Sequence, residues 1–210
     1  MDFLKSSWGS FTRSSAKDFL RTTGAPAHSS MNLMAKILRD RCGISQTDTL
    51  LDVGCGNASV YITLKENKAA CTYFGIDFST ALLQAGKELH PEIWLGEMDV
   101  QSLALKDDSM DYVVFSHVLE MLSSPEKALR ECKRVCRKKI LIRFFEPPVF
   151  QFDETELRFM NYGGMGTTPY LRRKMSKDFY DMMLTNCGIR KVEIYRDHFS
   201  KDQIHVLDVS

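Results

Sequence analysis

No apolar run in this 210-residue chain approaches the length of about 18 residues that would read as a membrane-spanning helix. The first residues also lack the continuous apolar stretch of a secretion signal, so the chain is expected to work in the cytoplasm without a membrane partner. Charge of one sign is not in excess either. The 28 Lys and Arg stand against 27 Asp and Glu, and a formal charge of +1 argues against a broad pull toward nucleic acid or anionic lipid. The six cysteines form no CxxC pair. Cys132 and Cys136 read as neighbours on one helix face, but with no His or Cys close by they predict no metal site, and a reducing compartment suits them all. No segment recurs at a fixed period, which excludes a solenoid. What remains is a chain with 44% hydrophobic residues, enough to fill the core of one domain over residues 1–210.

The most informative segment is LLDVGCGNAS, Leu50 to Ser59. Leu50, Leu51 and Val53 read as a strand covered on both faces, and Gly54 and Gly56 permit positive φ and close approach of a ligand. A helical period resumes from Ala58, so the loop opens a helix and its free N–H groups. The dinucleotide fingerprint G-x-G-x-x-G would need glycine where Ser59 stands. Asp52 would oppose a pyrophosphate and suits a cation such as an amine or sulfonium.

The pattern repeats down the chain. CTYFGIDFS ends in Asp77, an acid able to accept both hydroxyl protons of a ribose, and Phe78 after it can lie against a base or in the core. Ser79 or Thr80 then caps a helix through Leu89. EIWLGEMDV ends in Asp99 and Val100, which can read the amino group and ring nitrogen of adenine. MDYVVFSHVLEML delivers Ser116, His117 and Glu120 to the same carboxyl edge. Alternating helices and strands predict a mostly parallel α/β sheet covered on both faces. Helices are expected from Ser29 or Ser30, with Leu33, Met34, Ile37 and Leu38 inward, from Ser124 and Pro125, and over Ser176 to Leu184. KKILIRFF gives a fifth strand, and RKVEIYRD and QIHVLDVS two more.

The ordered set DVGCG, GIDFS, EMDV and SHVLEML resembles the class I methyltransferases that use S-adenosylmethionine (SAM), over the span from Leu50 to Phe145. The resemblance implies a three-layer, Rossmann-like sandwich whose seven-stranded sheet has its last strand antiparallel. It implies SAM as cofactor, S-adenosylhomocysteine (SAH) as product, and no metal. By position, Asp52, Gly54, Cys55 and Gly56 would hold the methionine part and Asp77 the ribose, with Phe78 beside it. Asp99 and Val100 would hold adenine, and Ser116 would meet the methionine amino group. Two positions depart from the family pattern. Ala58 replaces a common third glycine, a change expected to need only ordinary helical dihedrals, and Met121 replaces the histidine of the common LEH pattern.

Residues 1–30 are expected to form a cap, with Phe3, Leu4, Trp8, Phe11, Phe19 and Leu20 scattered among polar residues, and residues 146–175 a substrate lid inserted after the fifth strand. The second segment carries aromatics, the glycines Gly163 to Gly166, and basic Arg172, Arg173 and Lys174. Tyr170, Arg172 and Arg173 are candidates for gripping an acidic group on the substrate, against the plainer reading of 172–174 as a solvated helix entry. His117 is the first candidate for a general base, with Glu120 orienting it or binding a cationic acceptor, and Glu146 is a third candidate. The expected activity is methyl transfer to a hydroxyl or amine of a small molecule by a monomer or homodimer. The alternatives are RNA or protein methylation through residues 170–174, and a subunit that binds SAM without turnover.

Overall fold

The computed structural model describes residue 12, residue 16, residues 29–161 and residues 167–209. Nearly all of the expected cap, together with the glycines 163–166, lies outside these residues. The elements run α1 (Ser29–Asp40), β1 (Thr49–Val53), α2 (Ser59–Glu66), β2 (Thr72–Asp77), α3 (Thr80–Leu89), β3 (Trp94–Glu97) and β4 (Met110–Ser116). After a single 3-10 turn at Leu119–Met121 come α4 (Pro125–Val135), β5 (Cys136–Phe144), β6 (Glu154–Asn161), β7 (Thr167–Lys174), α5 (Lys177–Asn186), β8 (Lys191–Arg196) and β9 (Gln203–Asp208).

Seven strands make one sheet in the order β3-β2-β1-β4-β5-β9-β8. The first five pair in parallel, and β9 runs antiparallel between β5 and β8. The period of two sorts each strand between two cores. Leu51, Val53, Val113, Phe115, Ile140 and Ile142 enter one core, which Leu129 of α4 and Met183 of α5 complete. Leu50, Tyr112, Val114 and Leu141 enter the other, with Met34, Ile37 and Leu38 of α1 and Val60 and Leu64 of α2. Each such side chain contributes roughly 1.5–3 kcal/mol on burial. By the same alternation Asp52 and Arg143, each charged within a buried apolar stretch of its strand, share the face that α1 and α2 cover.

Local signals account for the helix starts. Pro125 occupies the first turn of α4, where a missing N–H costs nothing, and the Ser176 hydroxyl accepts from the Phe179 N–H at 3.1 Å to cap α5. Three expectations need correction. Helix α4 stops at Val135, so Cys136 opens β5 and shares no helix face with Cys132. The segment after β5, for which no strand was expected, holds β6 and β7, which pair antiparallel as a separate two-stranded sheet. Arg172 to Lys174 therefore lie on a strand and not at a helix entry.

Candidate functional site

Strands β1 and β4 are neighbours whose chains leave toward opposite sides of the sheet, β1 toward β2 and β4 toward β5. In open α/β sheets the crevice at such a switch point, beyond the carboxyl ends of the strands, is where ligands bind. Gly54 follows β1 at φ +65°, and a Cβ there would stand 2.7 Å from a Val118 methyl, so the loop after β4 seats against a bare backbone. Gly56 is at φ +52°, with no heavy atom within 4 Å of where its Cβ would be. Its N–H donates to Asp77 Oδ2 at 2.9 Å, and the Ser79 N–H donates to Asp77 Oδ1 at 2.9 Å. The acid at the end of β2 thus ties the glycine loop to its own turn. Burial raises the Asp77 pKa, against these two backbone donors.

Ala58 does not keep ordinary helical dihedrals. It sits at φ 62°, ψ 33°, in the left-handed region, fully buried at the head of α2. The third position of the loop therefore demands the conformation that glycine adopts freely, at a cost to alanine of about 1 kcal/mol or more. Asp52 is also not at the rim. It is wholly buried, accepts from the Tyr73 hydroxyl at 2.5 Å through Oδ2, and leaves Oδ1 with no hydrogen-bond partner among the described residues. Burial, helped by the charge of Asp77 and opposed by Tyr73, pushes its pKa up to about 7. Cys55 is buried, its N–H bonded to the Ile76 carbonyl at 2.9 Å. Phe78 is half-buried after β2, Val100 joins the core beyond β3, and Asp99 Oδ1 accepts from the Gln101 N–H at 2.9 Å.

The chain beyond β4 builds a second cluster. Ser116 ends the strand, and its hydroxyl accepts from Arg143 Nη1 at 2.8 Å. His117 follows at φ +59°, with its N–H on the Arg143 carbonyl at 3.0 Å and its ring stacked 3.1 Å from that of Phe145. Its Nε2 meets Asp202 Oδ2 at 2.9 Å. The same oxygen accepts from Ser30 Oγ at 2.6 Å and Arg143 Nε at 3.1 Å. Burial lowers the His117 pKa to about 3 against the opposing bond to Asp202, with the charge of Arg143 adding to the fall. Burial works to raise the Asp202 pKa, but His117, Ser30 and Arg143 carry it down to about 2. Near neutrality this is a neutral imidazole on a carboxylate, with Nε2–H as donor and Nδ1 left as the basic nitrogen. The partner of His117 is therefore Asp202, on the approach to β9, and not Glu120. Sequence reasoning missed Ser30, Arg143 and Asp202; the arginine inside the apolar run ILIRFF was the signal available.

Glu120 lies on the 3-10 turn, 1% exposed, where Oε1 accepts from the Phe145 N–H at 3.1 Å and Oε2 has no partner among the described residues. Burial raises its pKa to about 7. Glu146, just past β5, ion-pairs with Arg158 at 3.2 Å and faces Arg172 Nη1 at 4.0 Å. Tyr170 and Arg172 are buried on β7, and the Arg172 guanidinium carbon stands 4.4 Å from the Phe145 ring centre and 5.8 Å from that of Tyr170. Arg173 points to the opposite side of β7, over Phe179 at 5.0 Å. Lys174 pairs with Glu154 and Glu156. The basic triplet is thus divided between two faces and partly neutralised. Among the described residues no group of three or more His, Cys, Asp or Glu is placed to hold a metal ion, and no helix is long and apolar enough to cross a membrane.

Residues 51–142 match the methyltransferase domain family. Among curated proteins, the chain is 29% identical over 117 residues to the demethylmenaquinone methyltransferase of Renibacterium salmoninarum, a match that covers 55% of this chain and 48% of that protein. It is 34% identical over 95 residues to the phosphatidylethanolamine N-methyltransferase of Cereibacter sphaeroides, covering 42% and 45%. The chain thus spans about half the length of the curated relatives it matches. A SAM-dependent methyltransferase from Aquifex aeolicus superposes with a TM-score of 0.65 at 17% identity, covering 95% of this chain and all of that one. The magnesium protoporphyrin IX methyltransferase of Synechocystis, solved with bound SAH, gives 0.67 at 15% identity, covering 98% of each. At these identities the structural likeness speaks for the fold, which is that of the class I methyltransferases.

Proposed function

We propose that this chain, whose residues 51–142 match the methyltransferase domain family, transfers a methyl group from SAM to a hydroxyl or amine of a small molecule. One observation carries the reading. The glycine loop, Asp77 and the His117 turn converge on the switch-point crevice, where Gly56 leaves open space against the backbone. The residues fit the group. Asp77 stands at the end of β2 for the ribose hydroxyls, with Asp99 and Val100 for adenine and Phe78 beside its ring. Gly54, Cys55, Gly56 and Ser116 border the methionine part, and buried Asp52 keeps one oxygen for an ammonium donor.

SAM supplies an activated methyl group on a cationic sulfur, a good leaving group, so the protein's contribution is largely position. His117, neutral and oriented by Asp202, offers Nδ1 as a hydrogen-bond acceptor that positions a hydroxyl, its lowered pKa making it a weak base, and Glu120 and Glu146 border the acceptor side. A carbon acceptor is the second reading. It is favoured by the quinone methyltransferases among the relatives, two of them named C-methyltransferases, and by a buried Glu120 carboxyl whose pKa of about 7 suits proton abstraction. Residues 146–175 form the lid of this site, and the whole chain acts as one domain, as a monomer or homodimer in the cytoplasm.

Calorimetry with SAH tests the proposal. Binding by the wild type is expected, and Asp77→Asn should weaken it by about tenfold or more, since the carboxylate is the acceptor for two ribose hydroxyls and also sets the Gly56 turn. A wild type indifferent to both SAM and SAH rejects the reading.

A further inference from the structure

The β6–β7 hairpin is turned the unusual way. Residues of alternating parity separate its faces. Leu157 and Phe159 are 52% and 62% exposed on one side, while Glu156, Arg158, Tyr170, Arg172 and Lys174 occupy the other, which packs toward the 3-10 turn at Leu119–Met121. A hairpin that merely covered the core would do the reverse and lay its apolar side inward. The ceiling formed here is polar.

That ceiling is also incompletely bonded. Glu120 Oε2, Glu146 Oε2 and Arg172 Nε are all buried without a hydrogen-bond partner among the described residues. Arg172 is 8% exposed. It lies against the faces of Phe145 and Tyr170, and its nearest carboxylate, on Glu146, stands at 4.0 Å, too far for a hydrogen bond. Of its five donors the Nε–H is buried and unmade, and leaving it so in a desolvated place costs far more than leaving it in water. Arg158 already engages the Glu146 carboxylate at 3.2 Å, and Glu156 is held by Arg158 and Lys174. Glu156 is thus occupied, while Glu120 and Glu146, each with one unbonded oxygen, stand too far from Arg172 to hydrogen-bond it.

We infer that Arg172, held over Phe145 and Tyr170, is an oxyanion subsite, and that the methyl acceptor is a small molecule bearing a carboxylate or phosphate that pairs with this guanidinium. The planar fork suits bidentate binding of either group. Phe145 joins this subsite to the transfer site, because the same ring stacks against His117. An anion seated on Arg172 thus holds the rest of its molecule beside His117 and Glu120. This inference rests on the methyltransferase reading for its word acceptor, and on the hairpin geometry alone for its anion.

The test is anion binding to the full chain, with acetate and inorganic phosphate as separate probes, in the presence and absence of SAH. The expected result is saturable binding of at least one probe, with a shift of the Arg172 Nε–H resonance in arginine-labelled wild type, assigned by its absence in Arg172→Lys. Arg172→Met should weaken that binding about tenfold or more, and Arg172→Lys should retain part of it. Preference for acetate assigns a carboxylate acceptor, and preference for phosphate a phosphorylated one. Equal binding by wild type and Arg172→Met, or no resonance shift at Arg172 with either probe, overturns the inference. SAH calorimetry on the same samples reports separately. Loss of SAH binding by the wild type would sink the methyltransferase reading while leaving the anion result standing.

Discussion

Two arginines are buried among the described residues, and they are treated in opposite ways. Arg143, on β5 and 3% exposed, has its Nε on Ser30 and Asp202 and its Nη1 on Ser116. Arg172, on β7 and 8% exposed, has two aromatic faces and a distant carboxylate, but no hydrogen bond among the described residues. A buried charge bonded to three side chains belongs to the fold, since removing it strands those partners. One whose donors stay open costs the fold free energy, and the structure keeps it where a ligand can complete it.

The sharpest way to break this contrast is to neutralise each in turn. Arg143→Met leaves the Asp202 carboxylate buried with less compensation, and is expected to cost about 3–5 kcal/mol in urea unfolding. Arg172→Met removes a charge that has no hydrogen bonds to lose, and is expected to stay within about 1 kcal/mol of wild type or to gain. Equal losses at the two positions would mean that Arg172 is as structural as Arg143.

Acid sharpens the same comparison on the Arg143 side. His117 has a folded pKa near 3, well below the ordinary histidine value, so between pH 6.5 and that value the unfolded chain binds the proton and the native one does not. The stability contributed is present near neutrality and is lost as pH falls through this window, by about 1–2 kcal/mol between pH 7 and pH 5. His205, buried beside Tyr180 with a pKa near 4, adds a loss of the same sign. Asp202 contributes in the lower window, where stability is lost as pH falls below the ordinary aspartate range toward about 2. Chemical denaturation at several pH values should show His117→Asn, whose side chain tolerates the positive φ, with a visibly flatter slope between pH 7 and pH 5.

The smallest expected effect lies in the glycine loop. Ala58→Gly relieves a left-handed alanine, a gain offset by greater freedom of the unfolded chain and by loss of a buried methyl, and should move stability by no more than about 1 kcal/mol. A thermal melt resolves the sign. A large loss would mean that the Ala58 methyl is a core contact that outweighs its backbone strain.

The two regions also differ in how far they could be read in advance. The edge from Leu50 to Ser116 was legible because each of its strands is an apolar run closed by an acid, a glycine or, in β4, Ser116 and His117, and those local signals coincide with the parallel sheet. The third loop position was not, since nothing in the residue Ala58 announces a left-handed backbone. The hairpin was missed because ETELRFMN and TTPYLRRK alternate between polar and apolar on the wrong side for a core strand, with glycines between them that read as loop. The Asp202 network was out of reach for another reason. It joins residues 85 and 172 positions apart, and no local pattern records such a pairing.

That separation bears on the order in which the molecule can be completed during synthesis. A nascent chain that has emerged as far as Phe145 already carries β1 to β5, Ser30, His117 and Arg143, yet the anion that unites them is still unmade. Until Asp202 arrives with the closing antiparallel strand, the arginine and the imidazole face each other without mediation. The edge proposed for methyl transfer is therefore completed only with the strand that brings Asp202, and a slow or slipped β9 would yield a particle with a sound core and a misaligned His117.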